Sequence, residues 1–323
     1  MRREKLETAA VVCRVAPSFV RFGHFEYFYH KGEHEKLAPL ADHLIDERFP
    51  HLAGCPDRYV AWLKEVVERT ARLMAQWQSL GFCHGVMNTD NFSILGLTLD
   101  YGPFGFMDTF RQHHVCNHSD YEGRYAYGAQ PDIGRWNCTC LLQAALPLLS
   151  KNEEEAGKIA SEIIDAYSGT FSRAAIQNWS AKFGLRESKE GDVQLIVRFM
   201  ELLQKERRDF TQSFRNLASI RAMDESSLDT EYGAWLRDYR ARLRSESSLD
   251  EERAERMNRA NPKYVLRNHL AQQAIEKAVL DDYSEIEALM KVLSFPYEEQ
   301  PEMARYAEAP SRGAPQIEVS CSS

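Results

Sequence analysis

The segment from Asp57 to Leu80 constrains the fold more than any other part of the sequence. Its apolar residues recur every three or four positions, which is the spacing of one face of an α-helix. Those residues are Val60, Leu63, Val66, Val67, Leu73, Met74, Trp77 and Leu80. A helix with such a face needs a partner that buries it, and Gly81 is a typical helix end. The pattern therefore predicts a buried amphipathic helix over 57–80.

The segments on either side of this helix carry different patterns. Residues 7–16, ETAAVVCRVA, are β-branched and apolar, which predicts one strand that Pro17 ends. A lone strand leaves its backbone donors and acceptors unpaired, so either another segment pairs with it or a preceding part of the protein is missing. Residues 81–108 alternate short apolar runs with polar and glycine positions, which predicts a loop, a short hairpin and a second loop.

Helical periodicity dominates the sequence after about residue 131. The predicted helices are 132–149, 153–170, 171–184, 191–206, 229–243 and 270–293. Two Ser-rich acidic stretches, MDESSLD at 223–229 and SESSLDEE at 245–252, are interpreted as loops or helix N-caps. The prolines after Phe295 predict an irregular tail over 296–323. The sequence thus predicts an α+β fold that is mostly α.

The composition is that of a globular protein. The chain has 323 residues, a formal net charge of −8 and 44% hydrophobic residues. It has no run near the roughly 18 apolar residues of a membrane span, and its start, MRREKLETAA, lacks the apolar segment of a signal peptide. The acidic balance gives no general attraction to nucleic acid. We expect a soluble intracellular protein that binds neither membrane nor nucleic acid.

A polar cluster within residues 81–108 has the residue types of a phosphoryl-transfer or nucleotidyl-transfer site. His84, Asp90, Asn91 and Asp100 follow one another in loops between apolar runs. A carboxylate can accept the proton of an attacking hydroxyl, while an amide oxygen and a second carboxylate can hold Mg²⁺ against phosphates. Singly, Asp90 and Asn91 could cap a turn and Asp100 could end a strand. Together they indicate a catalytic loop, in which His84 either takes part or only ties the loop by hydrogen bonds.

The same segment is partly similar to the active site of protein kinases. Asp100-Tyr101-Gly102 is similar to the kinase Asp-Phe-Gly, in which glycine lets the backbone turn and aim the Asp. The kinase His-Arg-Asp is here His-Gly-Val at 84–86, so the usual catalytic Asp is absent. Asp90 is the nearest residue that can serve as the base.

Four longer segments resemble those of one protein family. They are RVAPSFVRFGHFEYFY at 14–29, HGVMNTDNFSILGLTLDYGPFGFMD at 84–108, CNHSDYEGRYAYGAQP at 116–131 and RMNRANPKYVLRNHLAQQAIEKA at 256–278. These closely resemble the selenoprotein O (SelO) family, in the same order along nearly the whole chain. The resemblance implies a protein-kinase-like fold that binds ATP. It also implies a protein adenylyltransferase, which transfers AMP from ATP to Ser, Thr or Tyr hydroxyls of proteins.

The resemblance implies roles for individual residues as well. Asp90 matches the family's catalytic proton acceptor, and Asn91 and Asp100 match its ligands for Mg²⁺ or Mn²⁺, with Asp100 also binding ATP. Arg14 and Arg21 match two arginines that bind the nucleotide phosphates. From the residues alone, an arginine such as Arg14 in an apolar strand needs a partner, which is either a phosphate or an acidic side chain.

The chain departs from the family pattern in its first residues. The family's glycine-rich loop and lysine–glutamate pair are missing before the matching region, and no Gly-x-Gly occurs. The resemblance then implies that residues 1–30 are the remnant of a small β-rich N-lobe and hinge, most of which is missing. Residues 31–295 would form a nearly complete helical C-lobe with a helical extension and with catalytic and activation loops at 84–131, followed by the tail 296–323. We expect such a chain alone to bind ATP weakly and to transfer AMP poorly.

Cys321 is third from the end of the chain, where some animal members of the family have selenocysteine. The resemblance leaves two alternatives, a regulatory disulfide between Cys321 and Cys116 or an exposed tail thiol without a regulatory role. It also implies redox-related protein substrates, and a mitochondrial location in eukaryotes or a cytoplasmic one in bacteria. The spacing of the His and Cys residues within 113–140 matches no closed four-ligand zinc site.

The sequence leaves two other functions open. One is conventional kinase-type phosphotransfer, which needs the same loop chemistry. The other is a non-catalytic pseudokinase or redox-interaction module. The missing N-lobe favours this last function, whereas the presence of Asp90, Asn91 and Asp100 opposes it.

Overall fold

The computed structural model describes residues 11–224, 230–246, 248–311, 313 and 317–319. Its α-helices are, in chain order, α1 (Phe22–His30), α2 (Leu37–Arg48), α3 (Arg58–Leu80), α4 (Gln130–Ala144), α5 (Leu146–Leu149), α6 (Glu153–Lys182), α7 (Asp192–Lys205), α8 (Phe210–Leu217), α9 (Glu231–Arg244), α10 (Asp250–Ala260), α11 (Asn268–Ala278) and α12 (Ser284–Ser294). Its strands, β1 (Phe82–Cys83) and β2 (Gly105–Phe106), pair antiparallel. The predicted class, α+β and mostly α, is confirmed for the described residues. A helix able to span a lipid bilayer does not occur among them.

The predicted buried helix over 57–80 is confirmed as α3. It buries Trp62 and Leu63 completely and packs along α6 and α4. Gly81 ends the helix in the left-handed conformation, with φ of 67°, which residues with a side chain rarely adopt. A Cβ on Gly81 would also lie 2.8 Å from the ring of Phe210. Two independent constraints therefore require glycine at this position.

The buried side chains form three clusters. The first contains Phe22, Phe25, Leu44, Trp62, Val66 and Leu141 among others, the second Phe183, Phe199, Phe214, Trp235 and Tyr239, and the third Tyr264, Leu270, Leu289 and Tyr306. Helix α1 thus shares a hydrophobic cluster with α3. The predicted boundary between residues 1–30 and 31–295 therefore does not separate two hydrophobic clusters. The polar segment bridges two clusters, because Met87 lies in the first and Met107 in the second.

The predicted strand at 7–16 is wrong over its described part. Residues 11–16 adopt no regular secondary structure, and Val11, Val12 and Val15 are exposed. A strand needs a neighbour that pairs with its backbone, and no described segment supplies one. Residues 7–10 lie outside the described residues.

Three of the predicted helices have different boundaries in the structure. The predicted pair 153–170 and 171–184 is the single helix α6. Gly169, near the predicted boundary, costs only about 1 kcal/mol in a helix, and α6 packs along α3. Conversely, 270–293 is divided into α11 and α12, since Asp281 between them adopts a φ of 60° that no helix continues.

Among the remaining helices, the longer ones are predicted from the sequence and the shorter ones are not. The segments predicted at 132–149, 191–206 and 229–243 are confirmed as α4 with α5, α7 and α9. The sequence pattern does not predict α1, α2, α8 or α10, which have 12 residues or fewer. Helices of this length span about three turns, so few apolar positions repeat and tertiary packing decides their conformation.

The predicted hairpin and the predicted irregular tail both differ from the structure. Within 81–108 the antiparallel pairing consists of the two-residue strands β1 and β2 and, between them, an isolated bridge between Phe92 and Thr98. In the tail, residues 301–307 form a 3₁₀-helix that buries Tyr306, so the prediction of irregular structure is wrong there. The two Ser-rich stretches lie partly outside the described residues, because residues 225–229 and 247 are not among them. Cys321 lies outside them as well.

Candidate active site

His84 holds together the two loops of the polar segment. It is almost fully buried, and its Nε2–H donates to the carbonyl oxygen of Leu99 at 2.7 Å, directly before Asp100. Its Nδ1 accepts from the backbone N–H of Val86 at 3.4 Å, and its ring stacks on Trp77 at 5.3 Å between centroids. Burial lowers the pKa of His84, which favours the neutral form that this bonding pattern requires. The geometry is that of a residue that ties the loop.

Three buried side-chain amides hold the backbone of the same loop. Gln130 accepts from the N–H of His84 and donates to the carbonyl of Phe82, both at 2.9 Å. Asn117 donates to the carbonyl of Gly85 at 3.1 Å, and Asn137 donates to that of Met87 at 2.9 Å. These side chains supply hydrogen bonds to buried backbone N–H and C=O groups that have no partner in a helix or a sheet. Sequence reasoning missed all three, because an Asn or Gln in a helical or loop pattern is usually a surface residue.

Asp90 and Asn91 lie in one 3₁₀ turn, Thr89–Asn91, with different surroundings. The Asn91 amide nitrogen donates to the carbonyl of Val86 at 2.9 Å, which leaves its oxygen as the available ligand atom. Asp90 is exposed, and its carboxylate rests against Gly23 in the first turn of α1. A Cβ at that glycine would lie 2.0 Å from Asp90 Oδ1, so no other residue fits there without displacing Asp90.

Arg21 is brought to the site by a short antiparallel contact. The N–H of Phe22 donates to the carbonyl of Phe92 at 3.1 Å, and the N–H of Ile94 donates to the carbonyl of Val20 at 3.2 Å. Because Arg21 lies between these two bonds, its side chain is positioned beside the catalytic loop. The contact comes from tertiary pairing rather than from any local periodicity.

Arg21 and Asp100 form an ion pair that leaves polar atoms unsatisfied. Arg21 Nη2 donates to Asp100 Oδ1 at 3.1 Å and lies 2.9 Å from Oδ2. Within the described part of the chain, however, Oδ2 accepts no hydrogen bond and Arg21 Nε has no hydrogen-bond partner, although both atoms are buried. Asp100 also has a φ of 55°, a strained conformation for a non-glycine residue. Buried polar atoms without partners are costly, and a phosphate and a cation are the groups that would satisfy them.

Arg14 contacts the residue after Asp100, but not in the way that the sequence predicts. Its guanidinium is 4.8 Å from the centroid of the Tyr101 ring, and the residue is exposed in irregular backbone. The expectation that Arg14 is buried in a strand and needs a partner for that reason is therefore wrong. Its cation–π contact still places a positive charge on Tyr101, the residue that follows Asp100.

The donor set of the site fits a hard divalent cation. Asp100 offers a carboxylate and Asn91 an amide oxygen, and Mg²⁺ prefers oxygen ligands of this kind. The described residues contain no group of three or more His, Cys, Asp or Glu side chains that could hold a metal by themselves. A cation here would therefore need other oxygen ligands, such as phosphate and water, as Mg²⁺ commonly does at nucleotide sites.

The five residues singled out from the sequence lie along one connected set of contacts. Arg21 touches Asp100, Arg14 touches the adjoining Tyr101, and the helix that begins after Arg21 supports Asp90. In a comparison with known proteins, the model of the family described as "Protein adenylyltransferase SelO" matches residues 1–294. The chain belongs to the SelO family.

Three relatives illustrate how close the similarity to SelO proteins is. Proteins named "Protein nucleotidyltransferase YdiU" are 60% identical in Methylococcus capsulatus, 51% in Paraburkholderia xenovorans and 49% in Burkholderia thailandensis. The alignments cover 99%, 100% and 99% of this chain, but only 66%, 65% and 65% of the respective relatives. This SelO chain therefore spans slightly less than two thirds of the length of the curated relatives that it matches.

Proposed function

We propose that this protein is a protein adenylyltransferase that transfers AMP from ATP to Ser, Thr or Tyr hydroxyls of other proteins. The observation that carries the proposal is the Arg21–Asp100 pair beside Asp90 and Asn91. Its buried Nε and Oδ2 atoms make no hydrogen bond with the described residues. The family description and the names of the relatives support nucleotidyl transfer over other phosphate chemistry.

Asp90 is the catalytic residue in this proposal. Its exposed carboxylate accepts the proton of the attacking hydroxyl, which must reach the site from a second protein. The first turn of α1 leaves space for the carboxylate at Gly23, because a side chain there would displace it. An accessible carboxylate suits a bulky protein substrate.

Asn91 and Asp100 hold Mg²⁺, or Mn²⁺, in the proposed complex. A divalent cation bound there neutralises phosphate charge and orients the α-phosphate for in-line attack. Asp100 is engaged with Arg21 in the structure described here. We expect the two side chains to separate when ATP arrives, so that Asp100 turns to the cation and Arg21 to a phosphate.

Arg14 and Arg21 bind the phosphates of ATP in this proposal. A guanidinium pairs bidentately with phosphate oxygens, and the unsatisfied Nε of Arg21 supplies the second donor of such a pair. Arg14 already lies beside Asp100 through its contact with Tyr101. Both arginines precede the catalytic loop in sequence.

The helical body corresponds to the C-lobe of a protein-kinase-like fold in this proposal. A long helix, a short strand, the Asp90–Asn91 loop, Asp100-Tyr101-Gly102 and an extended segment before α4 follow in kinase order. Residues 1–30 then belong to the N-lobe and hinge side, and 84–131 contain the catalytic and activation loops. The family resemblance supports redox-related proteins as acceptors.

The proposal is tested by the position of the transferred phosphorus. The chain is incubated with Mg²⁺, a mixture of acceptor proteins and ATP labelled at either the α- or the γ-phosphate. Label in protein from α-labelled ATP alone is the expected result, whereas label from γ-labelled ATP would indicate kinase-type transfer. Asp90→Asn is expected to lower incorporation about 100-fold or more, because the proton acceptor is lost.

A matched variant controls for general effects of removing a carboxylate. Asp165 is exposed on α6, away from the site, and Asp165→Asn is expected to leave incorporation unchanged. Equal incorporation by the protein with Asp90→Asn and the unchanged protein would contradict the assigned role of Asp90. Binding of ATP without transfer of either label would favour a non-catalytic pseudokinase.

A further inference from the structure

We propose a second anion-binding site, specific for a phosphate group, in a cavity of about 330 Å³ lined by Arg111, Arg207, His114 and His269. The cavity lies between the segment after β2, the turn after α7, the N-terminus of α11 and two residues of the tail. None of the five candidate active-site residues lines it. The proposal does not depend on the proposed adenylyl transfer.

The two arginines of the cavity carry uncompensated charge. Arg111 donates to Nδ1 of His114 at 2.9 Å, and neither Arg111 nor Arg207 has a carboxylate partner among the described residues. The neighbouring Arg208, by contrast, pairs with Glu206 at 2.6 Å. Two guanidinium groups facing one concave space create a positive potential that attracts anions.

The two histidines add donors that are neutral in the empty cavity. Burial and the charge of Arg111 lower the pKa of His114 to about 4, and burial also lowers the pKa of His269. Because Nδ1 of His114 accepts from Arg111, its proton lies on Nε2. Nδ1 of His269 is buried and has no hydrogen-bond partner among the described residues. A bound anion would offset the arginine charge, and the histidines could then donate to it.

The N-terminus of α11 contributes backbone donors to the same space. Arg267 at the N-cap makes no side-chain capping bond, and the first turn contains no acidic residue. The N–H groups of Asn268 and His269 have no acceptor among the described residues, and both residues line the cavity. Free N–H groups and the helix dipole favour an anion at this position.

One carboxylate, that of Asp108, lines the cavity, and its negative charge opposes the binding of an anion. Asp108 pairs with Arg267, which also lies 2.8 Å from Oδ2 of Asp209. The three arginines around the cavity therefore face two carboxylates, and positive charge remains in excess. Asp108 is held by Arg267 rather than by Arg111 or Arg207, so these two remain available.

The chemistry and the size of the cavity suit a phosphate monoester or inorganic phosphate. A volume of about 330 Å³ holds one phosphate together with water or a small attached group. Arg111 and His114 belong to the segment that follows Asp100, whereas Arg207 and His269 belong to the helical body. A phosphate bound by all four would fasten that segment to the body. Its source is either free phosphate or a phosphorylated side chain.

The test follows the imidazole resonances of His114 and His269 by ¹H–¹³C NMR. The full chain is titrated with inorganic phosphate or O-phosphoserine at constant ionic strength, with chloride as the reference anion. His114→Gln assigns one of the two signals. Saturable shifts of both signals are expected, together with an increase in the pKa of His114 by about one unit or more.

Two variants show whether these shifts report the cavity. Arg207→Gly removes a lining charge and also relieves a φ of 50°, so folding is preserved, and affinity is expected to fall roughly tenfold or more. Arg198→Gln lies on α7, the helix before the turn that contains Arg207, and Arg198 pairs with Asp238 outside the cavity. This variant is expected to leave affinity unchanged.

The relative affinities of the two probes identify the source. Tighter binding of O-phosphoserine points to a phosphorylated side chain, and equal or tighter binding of inorganic phosphate points to free phosphate. The proposal is overturned if neither probe gives a saturable shift up to about 10 mM, a limit well above ordinary ligand affinities. It is also overturned if Arg207→Gly binds as tightly as the unchanged protein.

Discussion

At the scale of single residues, the position of the Asp90 carboxylate depends on a glycine in another element. Gly23 lies so close that a Cβ would sit 2.0 Å from Asp90 Oδ1. Gly23→Ala is expected to push the carboxylate away from the reacting hydroxyl and to lower the rate of AMP incorporation on the order of 100-fold. Stability should change little, because Asp90 is exposed and can move into solvent. Incorporation of α-labelled ATP and a urea titration measure the two quantities.

Gly157 provides the matched control for this substitution. It lies inside α6, and a Cβ there would meet nothing within 4 Å. Gly157→Ala is expected to leave incorporation unchanged and to raise the free energy of unfolding by roughly 0.5–1 kcal/mol. An active protein with Gly23→Ala would show that Asp90 does not need its position against α1.

His84 makes the stability of the protein depend on pH. Burial holds the pKa of His84 below its ordinary value of 6.5, so the unfolded chain binds the proton more tightly than the folded one. The free energy of unfolding should therefore fall as the pH decreases below about 6.5. His84→Gln is expected to reduce this fall, measured by urea denaturation between pH 7.5 and 5.5. His114 and His269 contribute in the same direction, so part of the fall remains.

The exposed His43 is the control for that measurement. His43→Gln, on the surface of α2, is expected to leave the pH dependence of unfolding as it is. An identical pH dependence in the unchanged protein and in His84→Gln would contradict the inference that the buried imidazole is neutral.

Sequence reasoning identifies the types of residue at the site but not the contacts between them. Asp90, Asn91 and Asp100 stand out because they are close in the chain and carry the required oxygen atoms. The support from Gly23 and Gln130 comes from segments far away in sequence. No local pattern distinguishes a glycine under a carboxylate from a glycine in a turn.

At the scale of elements, length decides which predictions succeed. Helix α3 shows its apolar face over six turns, so the period is clear and the prediction is correct. The strand expected at 7–16 fails over its described part because composition cannot show whether a partner strand exists. Helix α1 has nine residues and is fixed by the contact of Phe22 with Phe92, which sequence alone does not reveal.

Lys182, the last residue of α6, is a buried cation in an aromatic environment. Its Nζ lies 4.3 Å from the centroid of the Phe214 ring, and no ion pair with a carboxylate is found for it among the described residues. Burial lowers the pKa of Lys182 to about 7. The unfolded chain keeps this proton to about pH 10, so stability rises with pH between these values.

Replacing Lys182 should therefore stabilise the protein. Lys182→Met is expected to raise the free energy of unfolding at pH 7 by about 1–3 kcal/mol, with the gain shrinking toward pH 10. Urea denaturation at several pH values measures it. Lys158→Met, at an exposed ion pair of the same helix, should change stability by less than about 0.5 kcal/mol. A destabilised Lys182→Met protein would show that the cation–π contact outweighs the cost of burial.

At the scale of the whole molecule, Arg267 joins parts that lie in different clusters. It is almost fully buried and pairs with Asp108 after β2 and with Asp209 before α8. It also donates to the carbonyl of Ala307 in the tail at 3.2 Å. One side chain thus connects the segment after the candidate metal ligands, the second cluster and the third cluster.

Loss of this charge should destabilise the fold as a unit. Arg267→Gln leaves two carboxylates without their buried partner and is expected to lower the free energy of unfolding by roughly 3 kcal/mol. Arg259→Gln, at an exposed pair with Glu255, is the control and should change it by less than about 1 kcal/mol. Chemical denaturation followed by circular dichroism measures both. Equal stability of the two variants would contradict the connecting role of Arg267.

Adenylyl transfer to protein is tested most directly by the mass of the group that becomes attached. The chain is incubated with ATP, Mg²⁺ and an acceptor protein, and the intact acceptor is then weighed by mass spectrometry. The proposal predicts an added mass equal to AMP on the acceptor, which is absent with Asp90→Asn and present with Asp165→Asn. An added mass equal to phosphate, or an AMP adduct that persists with Asp90→Asn, would contradict it.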